Sequence, residues 1–412
     1  MEKLAIDGGP KAVNRPLTGG RKWGYAELRE VLDVFDSGAY YRYEGSKVEA
    51  FEAAFRKAYG ARYAVASTSG TAAIHVALGM LNPEPGSEII TGPITDLGSI
   101  VPILYQQCIP IFADTDPATF CLDPKEVERL LTPRTAAIMV VHLFGNPCDM
   151  DAIMAIAKRH KLPVIEDCSQ AHYARHRDRL CGTIGDIGAF SLQASKHITT
   201  GEGGMTITNR KAWGERGALF QDKGWARGGW GPRAYRFLGL NYRMTELQGA
   251  VGCAQIRKLE WVASMRNRNG YLLSKLVEGA PGVQPQQVTE GGRHTYWLYG
   301  MAVQRDARYS PADFAAALTA EGVGAGVGYI GKPIFLCAGA LTHKDTFGTS
   351  ELPFTLPGVP DISYDEAMCP RTSELLPRMI TLGISEFYTE QDIEDIARAI
   401  RKVAEGLSRR RR

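Results

Sequence analysis

Three short segments of the sequence carry residue types able to do chemistry, and each follows a run that reads as a β-strand. Thr68-Ser69-Gly70-Thr71 stands at a strand-to-helix turn. Small residues there let backbone amides approach an anion, the helix start adds the positive end of its dipole, and the hydroxyls add donors, so a phosphate fits. The same residues also make an ordinary helix N-cap. The second segment is an apolar run ending in Glu166-Asp167-Cys168-Ser169-Gln170. It places the Asp167 carboxylate at the carboxyl edge of a sheet, where burial is costly without a cationic or hydrogen-bonding partner. A protonated pyridine nitrogen is such a partner; a helix cap or a surface position is the plainer alternative. The third segment, Phe190-Ser191-Leu192-Gln193-Ala194-Ser195-Lys196, runs into Thr199-Thr200-Gly201-Glu202-Gly203-Gly204. A lysine held in such a turn can form a Schiff base with an aldehyde, and its amine can then carry a proton between two carbons of a bound imine. Taken singly, Lys196 reads as a surface lysine; the combination of segments gives it a role.

These segments need a frame that brings them together. Tyr63–Ser67 (YAVAS) predicts a strand, and the alanine- and leucine-rich run from Thr71 predicts a helix. Strands follow at Glu88–Thr91, Ile109–Ala113 and Ala136–Val141. A helix from Met150 to His160 and a strand Pro163–Asp167 continue the alternation. Strands separated by helical crossovers imply a mostly parallel sheet covered on both faces, and such sheets place ligands at the carboxyl ends of their strands. All three segments converge there. Gly188–Leu192 and Gly204–Thr208 are two more strands, too close for a helical crossover, and they flank the loop that holds Lys196.

Around this frame, the first 14 residues read as an irregular arm, and helices are expected over residues 27–35 and Lys47–Tyr59. Lys223–Arg236 reads as a long loop whose Trp225 and Trp230 suit a lid or an interface patch, followed by a helix from Met244 to about Asn267. The remaining chain changes character, with short strands near Tyr296–Val303, a helix opened by Ser310 and Pro311, and a final amphipathic helix carrying Ile393, Ile396, Ile400 and Val403. The expected division is an arm at 1–14, a large domain at 15–265 and a smaller domain at 266–412. Arg409–Arg412 reads as a solvated tail.

The 412 residues are 44% hydrophobic and 23% charged, the profile of a soluble globular protein. A net charge of +3 is too small to make a polyanion-binding face by bulk charge, so nucleic acid is not an expected partner. No apolar run approaches the ~18 residues of a membrane span, and no secretion signal is legible near the start, so no membrane partner and a cytoplasmic location are expected. Eight scattered cysteines with no C-x-x-C pair read as reduced, mostly buried thiols, and no metal site is expected. His75 and His160 read as structural, whereas His172 and Tyr173, close behind Asp167, are candidates for the pocket wall.

The order S-G-T, then E-D-C-S-Q-A-H, then F-S-x-Q-x-x-K followed by T-T-G-E-G-G, resembles the DegT/DnrJ/EryC1/StrS family of pyridoxal phosphate aminotransferases. Further matching pieces extend from about Gly38 to Leu259: Gly45–Glu52, Val141–Gly145, Gly182–Asp186 and Gly239–Gln248. The resemblance implies an α/β protein of fold type I, with a mostly parallel, seven-stranded-type sheet in the large domain and a smaller carboxyl-terminal α/β domain. It implies pyridoxal 5'-phosphate as cofactor, Lys196 as the Schiff-base lysine, Asp167 as the acid paired with the pyridine nitrogen, and Gln170 against the ring near its phenolic oxygen. Ser69, Gly70, Thr71 and Ser191 match the family's phosphate cup. Asn241 matches an asparagine that the neighbouring subunit contributes, which implies a homodimer with shared active sites.

Two departures stand out. Where the family's pattern has a ring-stacking aromatic after P-x-x-T, this chain reads Gly92-Pro93-Ile94-Thr95-Asp96-Leu97, so Asp96, or Leu97 under a one-residue shift, takes that place at the cofactor. Where the family carries a histidine and tyrosine near the sugar site, this chain reads Gly328-Tyr329-Ile330. Gln193 resembles the branch that aminates keto-cyclitols or makes aminohydroxybenzoate-like rings. The expected activity is ping-pong transfer of an amino group from a small-molecule donor, glutamine or glutamate, to a cyclic polyhydroxylated ketone, as in aminocyclitol antibiotic assembly. Alternatives are a nucleotide-linked keto sugar as acceptor, a dehydration on the same fold, or a non-catalytic paralogue. The family's sugar dehydratases carry histidine at the lysine position, so Lys196 argues against dehydration.

Overall fold

The computed structural model describes residues 2–227 and 233–410, so Trp230, Arg411 and Arg412 lie outside the described residues. Seven strands form one sheet: β1 (Tyr63–Ser67), β2 (Glu88–Thr91), β3 (Ile109–Phe112), β4 (Thr135–Val141), β5 (Val164–Asp167), β6 (Ile187–Ser191) and β7 (Gly204–Thr208). Their spatial order is β1-β7-β6-β5-β4-β2-β3. β2 to β6 pair in parallel, whereas β7 runs antiparallel to both β6 and β1. The reversal follows from chain length, because the loop between β6 and β7 contains no helix to carry the chain back.

Both faces of the sheet are covered. Val48, Phe51 and Phe55 of the helix Lys47–Tyr59 and Met150 and Ile153 of the helix Met150–His160 pack in one core with Val164 of β5. Ile165 points to the opposite core, among Ala73, Ile74 and Ala77 of the helix Gly70–Leu81. The period of two along a strand therefore sends Glu166 and Asp167 to opposite faces. Each fully buried large side chain here contributes about 1.5–3 kcal/mol, which pins the strand register that aims Asp167.

A second, antiparallel sheet comprises β8 (Val283–Pro285), β9 (Leu298–Val303), β10 (Ala325–Val327) and β11 (Met379–Gly383), in the order β8-β9-β11-β10. The helices Pro311–Ala320 and Glu390–Ser408 share its core through Phe314, Leu318, Ile393, Ile396 and Ile400.

Several expectations change. The irregular start of the chain is docked: Leu4 and Val13 are buried in the second core, and the Glu321 carboxylate accepts from the amides of Ala5 and Ala12 at 2.8 Å each. At the other end, Arg410 stays exposed and pairs with the exposed Asp7. The single helix expected from Met244 is two, Glu246–Ile256 and Leu259–Val277, the first opened by a Thr245/Gln248 capping box. Residue 265 thus falls inside the second helix. The helix Lys211–Phe220 was not legible, because Gly214 and Gly217 weaken its pattern. Added Cβ atoms there would lie 2.3 Å from Tyr63 of β1 and 2.2 Å from Met80 of the helix Gly70–Leu81, so the glycines allow close packing on both. The described ends of the Lys223–Arg236 stretch are paired through a Trp225–Tyr235 bridge, with Arg227 stacked 3.6 Å from the Trp225 ring centre. His75 is structural, held by Tyr242 at 2.9 Å and Gln106 at 3.2 Å. The eight cysteines are free, and Cys337 is exposed. Among the described residues no helix is long and apolar enough to cross a membrane.

Candidate active site

A cavity of about 380 Å³ opens past the carboxyl ends of β1, β5 and β6, where the three sequence segments meet. Its floor is the start of the helix Gly70–Leu81. Ser69 caps that helix, accepting from the Ala72 amide at 3.0 Å, and Gly70 and Thr71 present the first turn to the cavity. A Cβ on Gly70 would sit 2.6 Å from that of Ser191, and one on Gly204 would lie 2.0 Å from the Ser69 carbonyl oxygen. Only glycine permits this approach, which closes Ser69, Gly70, Thr71 and Ser191 into a cup at a positive helix end. His172 is fully buried behind the cup and donates through Nε2 to the Ser191 carbonyl at 2.7 Å. It supports the cup instead of lining the cavity, and Tyr173 turns away against Tyr59, so neither forms the expected wall.

Asp167 is 2% exposed at the end of β5. Its Oδ1 accepts from the Ser169 amide at 3.0 Å and its Oδ2 from the Ser99 hydroxyl at 2.7 Å. Glu166, on the other face, is fully committed: it accepts from His142 Nε2 and from the amides of Gly182, Ile184 and Gly185. Its closeness to His142 and Cys168 is therefore explained by structural hydrogen bonding.

Lys196 lies across the cavity in the β6–β7 loop, its Nζ 3.7 Å from the centre of the Trp297 ring. Burial pulls its ammonium down to about 8, opposed by the charges of Asp167 and Asp96. Gln170 is fixed by its Oε1, which accepts from the Phe144 amide at 2.8 Å, so its Nε2 donates to the Tyr329 hydroxyl at 3.1 Å. Burial holds that phenol protonated, well above its ordinary range. Asp96 does reach the cavity, with Oδ1 accepting from the Gly98 amide at 2.8 Å, whereas Leu97 packs into a core cluster with Ile100 and Phe335.

Asn241 does not line the cavity of its own chain; it is exposed and bridged to Asp222. Trp297, Thr95 and Ser99 are functional neighbours that sequence reasoning missed. The hydroxyl pair four residues apart was a usable signal for the last two. Nothing local marks Trp297, which is brought to Lys196 by the fold alone.

Comparison with known proteins bears on this geometry. The model of the DegT/DnrJ/EryC1/StrS aminotransferase family matches residues 22–401. The chain belongs to that family. It is 33% identical to an L-glutamine:2-deoxy-scyllo-inosose aminotransferase of Streptoalloteichus tenebrarius, covering 97% of each chain. It is 39% identical to the GDP-perosamine synthase of Caulobacter vibrioides over 64% of this chain and 72% of that one. Among solved structures it superimposes on 3-amino-5-hydroxybenzoic acid synthase with a TM-score of 0.82 at 26% identity, covering 95% of this chain and 99% of the other. The fold is thus the fold type I architecture, and the protein is a pyridoxal phosphate-dependent aminotransferase of the sugar-aminating family.

The cavity fits that cofactor. The glycine-closed cup suits its phosphate, the buried Asp167 suits a protonated ring nitrogen, and Gln170 lines the same cavity as the acid.

Proposed function

We propose that this family member transfers an amino group from glutamine or glutamate to a free polyhydroxylated cyclic ketone, a keto-cyclitol. The observation that supports this acceptor most is the Asp96 carboxylate, which lines the cavity at the place where the family's pattern has an aromatic. Glu202 also lines the cavity, and Lys196 is the only cation among its described lining residues. Carboxylates accept hydrogen bonds from ring hydroxyls and repel a diphosphate. The expected result of a competition between an inosose and a nucleotide-linked keto sugar, each offered to the amino-loaded enzyme, is faster turnover with the inosose. Faster turnover with the nucleotide sugar would overturn the choice of acceptor and leave the aminotransferase chemistry standing.

When bound, pyridoxal phosphate supplies an electron sink for the pair released as the donor's α proton leaves. The chain's own residues do the rest. Lys196, brought down to about 8, has a far larger neutral fraction near neutral pH than an ordinary lysine and takes and returns the proton. Asp167 holds the ring nitrogen's proton, and the cup fixes the phosphate. Trp297 beside Lys196 and Tyr329 beside Gln170 line the same cavity and shape the space for the substrate.

The reading includes a homodimer in which Asn241 of each chain reaches the phosphate of the other. Its exposure within one chain, outside its own cavity, supports this, as does the exposed apolar stripe Tyr25, Leu28, Leu32 and Phe35 on the helix Tyr25–Ser37. Lys196→Ala and Asn241→Asp, each inactive alone, are expected to regain activity when mixed, because one site of each heterodimer receives neither lesion. No recovery despite demonstrated subunit exchange would count against the shared site.

A further inference from the structure

Asp167 is held by more than its place on β5. Ser99 Oγ lies 2.7 Å from Asp167 Oδ2, and Thr95 Oγ1 lies 2.7 Å from Ser99 Oγ. All three residues are buried, at 2%, 3% and 1% exposure respectively. The direction of the chain of bonds follows from proton counting. A carboxylate has no proton to give, so the Ser99 hydroxyl donates to Asp167. Ser99 has then spent its only proton, so Thr95 must donate to Ser99. Each bond polarises the next toward the carboxylate.

We propose that Thr95 and Ser99 are positioning residues for the reaction, a directional pair of hydroxyls that fixes the Asp167 carboxylate as the acceptor for the cofactor's ring nitrogen. With the Ser169 amide on Oδ1 and Ser99 on Oδ2, the carboxylate cannot rotate without breaking both bonds. Its remaining lone pairs therefore stay aimed into the cavity. The two hydroxyls are four residues apart on a short segment that ends in a 3-10 turn, Leu97–Ser99, capped by Asp96. The turn is wedged against the phosphate cup: a Cβ on Gly98 would lie 2.5 Å from Thr71 Oγ1. One segment thus touches the ring-nitrogen acid, the cup and, through Asp96, the substrate space. This extends the reading of Asp167 above and rests on it.

The test uses the holoenzyme loaded with cofactor carrying 15N in the ring, whose chemical shift reports protonation of that nitrogen independently of turnover. In the wild type the signal should stay at the protonated position from pH 6 to 9. Ser99→Ala should move it toward the neutral position within that window and weaken cofactor binding about tenfold. Thr95→Val, which keeps the shape and removes the donor, should give a smaller movement and about threefold weaker binding, while Thr95→Ser restores both. Asp167→Asn serves as the reference, because it must move the signal if the acid is assigned correctly. A Ser99→Ala protein with a native melting temperature and a wild-type signal, alongside a displaced signal in Asp167→Asn, would overturn the hydroxyl pair alone. An unmoved signal in Asp167→Asn would overturn the acid's assignment and the pair with it. If Ser99→Ala fails to fold, the contrast between Thr95→Val and Thr95→Ser decides.

Discussion

Lys196→Ala is expected to lower transamination by about ten-thousand-fold, because it removes both the covalent anchor and the proton carrier. Borohydride treatment of the wild type should fix the cofactor to a peptide containing Lys196, and the variant should yield no such adduct. The burial that brings the amine to about 8 adds a pH signature. At pH 7 roughly a tenth of such an amine is neutral, against roughly one part in three thousand for an ordinary lysine. Covalent attachment of added cofactor should therefore accelerate as pH rises toward 8 and level off above it. A rate that climbs unchanged to pH 10 would contradict this, and a variant with full transamination would refute the assignment.

Asp167→Asn is expected to retain the cofactor while slowing the half-reaction with glutamine by about a thousandfold, about 4 kcal/mol at 1.36 kcal/mol per decade. The amide keeps the size of the side chain and can still accept from Ser99, so folding and the cup should survive. What disappears is the negative charge that keeps the ring nitrogen protonated, and with it the electron sink. Stopped-flow absorbance after mixing with glutamine reads the step directly. A near-normal rate would mean that another group holds the proton.

The chain alone determined a large share of this site. β5 was legible because its apolar run is buried on both faces, and the acid at its end could be placed on the ligand edge by chain direction alone. The cup at Ser69–Thr71 was legible because a strand, a small-residue turn and a strong helix former are all local signals. Lys196 required the motif around it, since an isolated lysine carries no sign of burial. The helices from residue 244 were misread as one because amphipathic periodicity runs through the break at Arg257–Lys258. The helix Lys211–Phe220 was missed because its glycines answer to Tyr63 and Met80, far away in sequence.

Only the tertiary structure decided what stands around Lys196 and Asp167. Trp297 meets Lys196 and Tyr329 meets Gln170 across sequence separations that no local pattern encodes, because their contacts are set by how the second sheet seats against the first. The same holds for His172. It follows the acid by five residues, yet it backs the cup, since the turn after β5 carries it beneath Ser191 and away from the cavity. Residue types and their local order fix which groups can do chemistry. Burial, orientation and the neighbours that restrain each proton arise from packing between distant segments, and those determine what each group does.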